Sequence, residues 1–548
     1  MKRSVILALF LASISLAFYP VASSQMKTPS DEKPAALLSG LGNIHHKVST
    51  DNPEAQRFFD QGLNLIYGFN HEEAIRSFRR AAELDPRLAM AHWGVALALG
   101  PNINLDVDPE REKAAYEAVQ KALSLAAGAP DEEQAIIEAL AKRYSIDPQA
   151  DLKKLAVDYK NAMGEMVRRY PDDLDAATLY AESAMDLRPW QLWDKQGKPA
   201  EGTEEIIAVL ESVLRRDPNH MGAIHYYIHA VEASTNPERA LTYAPKLSTL
   251  APAAGHLVHM PAHIYMRTGD YANAALSNKV AAEADLALFK ITGSGGIYPV
   301  MYYNHNLHFL AIARTMEGRF ADALSAARGL EANVGPHVHM MPMLEGFMTT
   351  STLVLVRFRR WEDILKLPQP DAAMAGTNVV WHFARGMAYA AKGKTVDAER
   401  ELKLLTEGEK GVPAEAAFGL NSATSILKIA ENVLSARIAT ARRDYKPAIG
   451  ILRKAVEMED ALAYDEPPAW FLPVRESLGG VLMLGGNNAE AEKVFRAELE
   501  RNQRSGRALF GLSKSLEAQG KKYAAQVVQR EFENAWKNAD TQLRAEDL

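Results

Sequence analysis

A 34-residue spacing constrains this chain more than any other feature of its sequence. Over residues 55–88, Phe58, Gly62, Ala74, Phe78, Ala81 and Pro86 occupy the fourth, eighth, twentieth, twenty-fourth, twenty-seventh and thirty-second places of one window. The small residues allow two antiparallel helices to approach closely. Proline ends the second helix, because it lacks a backbone donor and clashes with the preceding turn. A fixed period of this length predicts stacked helix pairs, each packed only on its neighbours. The chain has 548 residues, well beyond the roughly 250–300 at which a single core stops growing. An array of repeats answers that constraint.

The frame recurs with varying fidelity at 221–254 (Ala240, Pro252), 255–288 (Ala262, Tyr265, Ala274, Ala281) and 304–337 (Ala311, Ala323). It continues at 379–412 (Gly386, Tyr389, Ala398), 429–462 (Ala436, Ala448, Ala455), 472–505 (Gly479, Ala491, Phe495) and near 506–538 (Gly520, Ala525). Between 101 and 216 the periodicity is helical but the frame is poor, and strand signals are absent throughout. The pattern resembles the tetratricopeptide repeat (TPR) family over most of 50–538. The resemblance implies an all-α fold, a TPR-like α-solenoid, and a scaffold that takes a protein, peptide or small ligand in its concave groove. It also implies that the second, fifth, ninth and twelfth places of each repeat face that groove. The expected divisions are 1–23 as a leader, 24–50 as a flexible lead-in, 51–216 as TPR and irregular helical repeats, 217–345 as a His-rich TPR segment, and 346–548 as C-terminal TPR repeats.

Composition narrows the function. Hydrophobic residues at 47% and charged residues at 24% describe a folded chain. A net charge of −7 argues against a general nucleic-acid binder. With no cysteine, disulfides, thiolate metal sites and cysteine nucleophiles are excluded. Lys2 and Arg3, the apolar run from Val5 to Phe18 and the small residues Val21-Ala22-Ser23 read as a cleavable secretory signal. That run is about 14 residues, short of the roughly 20 that span a bilayer. The expectation is an exported bacterial protein, periplasmic or secreted, and not transmembrane.

Histidine carries the chemistry. Eight of the fifteen histidines lie between His220 and His308. His225 and His229 fall on the fifth and ninth places of their repeat. His256, His259 and His263 fall on the second, fifth and ninth of the next, and His305 and His308 on the second and fifth of a third. All seven are groove places, and they are the candidate metal ligands. Spacings of three and four put imidazoles on one helix face, the spacing with which a helix holds an ion. Glu232, at the twelfth place, adds a carboxylate and would be the general base if the protein is an enzyme. Imidazole with carboxylate suits Zn or Cu(II). Met260, Met266, Met301 and the 337–343 stretch (HVHMMPM) lean toward copper.

Three readings stay open: a metal-bearing scaffold, a metal-dependent hydrolase or oxidoreductase, and a metal-free scaffold whose histidines contact a peptide. Pro261 should kink or break its helix between His259 and His263. His92 and His382 read as packed, His71 and His220 as exposed turn residues, and His45 and His46 as ambiguous. Tyr464, Glu466, Trp470 and Arg475, in YDEPPAWFLPVR, read as a junction or as a ligand site at the far end of the solenoid. Asp186 to Trp193 is a second aromatic-rich break.

Overall fold

The computed structural model describes residues 35–293 and 295–548. The predicted leader and the first part of the lead-in lie outside the described residues. The rest is a TPR-like α-solenoid of antiparallel helix pairs. Pro53–Tyr67 packs on His71–Leu84, Tyr298–Met316 on Phe320–Val334, Ala375–Ala391 on Thr395–Glu409, and Ala423–Ala441 on Tyr445–Asp460. Val474–Leu484 with Asn488–Arg501, and Gly506–Ala518 with Lys522–Ala535, complete the C-terminal end. Helix starts follow capping chemistry. The Asn52 side chain accepts from the amides of Glu54 and Ala55 ahead of Pro53, and Asp108 does the same ahead of Pro109.

One packing device explains the sequence frame. A Cβ on Gly62 or on Gly94 would come within 2.6 or 2.4 Å of the Phe78 ring. Sixteen residues separate each glycine from the phenylalanine. The ring on the second helix of a pair thus fills the notches of its own first helix and of the next repeat's first helix. At the other end of the chain Gly479, Phe495 and Gly511 repeat this at the same spacing, with approaches of 2.4 and 2.3 Å.

Three features depart from the regular array. After Met221–Val231 the second helix of the repeat is replaced by short turns at Pro237–Thr242, Ala244–Lys246 and Leu247–Leu250, where Pro237 and Pro245 remove backbone donors. A hairpin of two-residue strands pairs Ala417 with Ser422 and Phe418 with Asn421, which no strand signal announced. Residues 35–50 are an ordered strap rather than a flexible lead-in. The Ala253 amide donates to Gly40 O at 2.8 Å, the Leu38 amide to Gln61, and the Ile44 amide to Asn64.

The apolar interior falls into two main bodies, one from Leu41 to Tyr302 and one from Ala311 to Leu548. Ala262, Ala274, Ala275, Phe309 and Ala313 form a small cluster between them. The histidine-rich helices lie at this junction. Among the described residues no helix is long and apolar enough to cross a membrane.

Candidate metal centre

Six of the seven predicted histidines converge as two sets of three. His225, His229 and His256 bring ligand nitrogens within 4.8 Å of one another, and His259, His263 and His305 do the same. The two trios are adjacent: the rings of His229 and His263 are 5.4 Å apart and those of His256 and His259 5.6 Å. The first pair rides on Met221–Val231. The next three residues come from Gly255–His259 and Pro261–Arg267, where the helix breaks at Met260 and restarts at Pro261, as proline requires. The break leaves His259 Nε2 only 2.8 Å from His263 Nε2. His305 follows from Tyr298–Met316.

The outer nitrogens are fixed by acceptors. His225 Nδ1 donates to Tyr67 O at 2.7 Å, and His229 Nδ1 to Glu232 Oε1 at 2.7 Å. His263 Nδ1 donates to Glu232 Oε2 at 2.5 Å, and His259 Nδ1 to Asn278 Oδ1 at 2.7 Å. The Asn278 amide nitrogen is bound to Ala274 O, so its oxygen is the atom facing the ring. A carbonyl or carboxylate can only accept, so each of these four rings carries its proton on Nδ1 and turns Nε2 inward. His256 Nε2 lies 3.1 Å from His225 Nε2.

The rings are buried. His225, His229, His256, His259 and His263 are between 0 and 6% exposed; these rings do not line an open groove wall. One phenylalanine serves each trio. Phe69 meets His225 at 4.5 Å and His256 at 5.3 Å, and Phe309 meets His259, His263 and His305 at 4.7–4.9 Å. Burial, then the neighbouring imidazoles, holds His225, His256, His259 and His305 well below the ordinary histidine range. Burial also lowers His229 against the pull of Glu232. For His263 the carboxylate outweighs burial and raises the imidazole. Burial would raise Glu232, but His263 and His229 hold it well below the usual carboxylate range. Glu232 is an ionised residue with both oxygens occupied. It orients two rings, and the geometry does not leave it free as a general base.

Other predicted residues are placed differently. His308 belongs to neither trio. Its ring, three residues beyond His305, packs on Phe347 at 5.2 Å, and burial alone lowers it to about 3. Tyr464 and Glu466 are not at a far end. The Tyr464 hydroxyl sits 2.5 Å from Glu466 Oε1 and 3.3 Å from Glu232 Oε2. Trp470 is separated from them, packed on Phe383 at 5.6 Å with its N–H donating to Leu472 O. Arg475 pairs with Asp460. His71 and His220 are buried rather than exposed; His220 Nδ1 accepts the Ala223 amide at a helix start. His46 reaches Asp175 at 3.0 Å. His382 packs partly buried against Glu401. Met260 is buried in the apolar interior with Met301 packed against it, Met266 packs beside Ala262 and Phe309, and Met340 and Met343 are exposed.

Sequence reasoning missed Asn278, the Tyr67 carbonyl, Phe69 and Trp190. Trp190, from the Asp186 to Trp193 break, meets His229 edge-on at 5.5 Å. The aromatic break was visible in the sequence, but its contact with the centre was not.

No family model and no curated protein matches the chain. Solved structures similar to it are a human IFIT1 dimer with m7Gppp-AAAA (14% identity, 89% of this chain and 91% of that one, TM-score 0.34), the yeast Tom70 (12%, 88% and 90%, 0.29) and the P58(IPK) TPR domain (12%, 85% and 98%, 0.22). At such scores the helix pairs themselves remain the ground for the fold.

Proposed function

We propose that this protein is an exported helical-repeat metalloprotein whose two imidazole trios each hold one transition-metal ion. One observation carries the reading. His225 and His229 both commit Nδ1–H to an acceptor, yet their Nε2 atoms face each other at 3.1 Å. Two bare lone pairs at that distance repel. A proton from His256 could satisfy one of them but not both, and burial in an apolar shell disfavours charged imidazoles. A cation accepting all three lone pairs removes the conflict. Three inward-facing imidazoles, two of them in each trio with Nδ1 committed to an acceptor, are a donor set for Zn(II) or Cu(II). The depth of the rings disfavours peptide contact by these histidines. Lys2, Arg3 and the apolar run that follows support export.

Elemental analysis after loading with Zn(II) or Cu(II) tests the proposal. Wild type should retain two ions per chain, His225→Ala and His259→Ala one each, and His382→Ala two. No retained metal in the wild type, or equal metal in all four proteins, would overturn it.

A further inference from the structure

The two trios are built as one unit. His256 and His259 stand on the same short helix, Gly255–His259, yet belong to different trios. Their rings lie 5.6 Å apart, and those of His229 and His263 5.4 Å. Glu232 accepts from one ring of each trio. Ions held by the two trios would lie side by side, the arrangement of two-metal sites, whose ions are about 3.5–4 Å apart.

Three nitrogens leave each ion one ligand short of the tetrahedral set that zinc usually takes. Charge is short as well. Imidazole ligands are neutral, and the ionised Glu232 sets one negative charge beside two dications. Among buried rings, an uncompensated charge is costly. The missing ligand must be small. The space that reaches the His229 ring between Trp190, Tyr464 and Glu232 is about 20 Å³, room for a water or two and for no organic substrate. An oxygen anion placed between the ions fills the open position on both and lowers the net charge. We infer that the two trios form a single dinuclear centre whose ions share one bridging hydroxide, made from a water that gives up its proton to solvent. The inference rests on the metal-centre reading.

Electron paramagnetic resonance of wild type loaded with Cu(II) tests it, with copper counted by elemental analysis of the same sample. Two copper ions that share an oxygen atom pair their spins. Wild type should therefore hold two ions and lose nearly all of their resonance. His225→Ala and His305→Ala, each left with one ion, should show the full resonance of the copper they hold. Two ions per chain at the full intensity of separate ions would overturn the shared bridge and leave the two metal sites standing. No copper retained by the wild type would remove the metal sites and the bridge together.

Discussion

Glu232 Oε2 accepts from His263 Nδ1 at 2.5 Å while its other oxygen accepts from His229 Nδ1, so one buried carboxylate orients a ring in each trio. Glu232→Gln keeps the size but turns one acceptor into a donor. The ring facing the new amide nitrogen must then move its proton to Nε2, which withdraws a lone pair from the trio. Metal affinity of at least one site should fall about 10–100-fold. Competition with a chromophoric chelator measures this. Wild-type affinity at both sites in Glu232→Gln would show that the carboxylate does not govern ring orientation.

His305 and His308 separate position on a helix from membership of a site. His305 lies 4.8 Å from the His259 ring, whereas His308 packs on Phe347. His305→Ala should lose one ion. His308→Ala should keep both ions and cost about 1–2 kcal/mol of stability from lost packing. Loss of metal in His308→Ala alone would reverse the assignment, and elemental analysis with urea unfolding distinguishes the two.

The strap supplies a pH dependence. Burial would lower His46, but Asp175, assisted by Asp173 and Glu132, lifts it from 6.5 to about 9. An imidazole raised in the folded state stabilises fully below its unfolded value of 6.5 and loses that contribution as pH rises through about 9. The effect is at most about 3 kcal/mol. Urea unfolding should show wild type losing stability between pH 6.5 and 9 relative to His46→Gln. Parallel curves for the two proteins would mean that the pair does not titrate in this window.

The fold was legible because its packing device is local. Gly62 and Phe78 are sixteen residues apart, and the spacing alone describes their contact. That these histidines lie near one another was legible for the same reason, since residues at three- and four-residue spacing share a helix face; their division into two trios, buried and not on a groove wall, was not, because it depends on how three helices pack. His308 failed because that face is narrow, and Trp190 and Tyr464 because their contacts are not periodic. Tyr464 reaches Glu232 from 232 residues away, through curvature accumulated over many repeats. Burial of His71 and His220 escaped for a related reason: turns in a solenoid are covered by neighbouring elements that no single repeat encodes.

The packing device itself can be tested with one substitution at two sites. Gly94→Ala places a Cβ 2.4 Å from Phe78, a ring already held on its other side by Gly62. The ring cannot retreat, so the two repeats must separate, at about 1–3 kcal/mol. Gly450, inside Tyr445–Asp460, has nothing within 4 Å of its Cβ direction. Gly450→Ala should stabilise by about 0.5–1 kcal/mol, because alanine gains helix propensity there with no clash. Urea unfolding of the two variants should therefore move in opposite directions from wild type. A stabilised Gly94→Ala would mean that Phe78 does not fill the notches between repeats, and the structural reason for the 34-residue frame would have to be sought elsewhere.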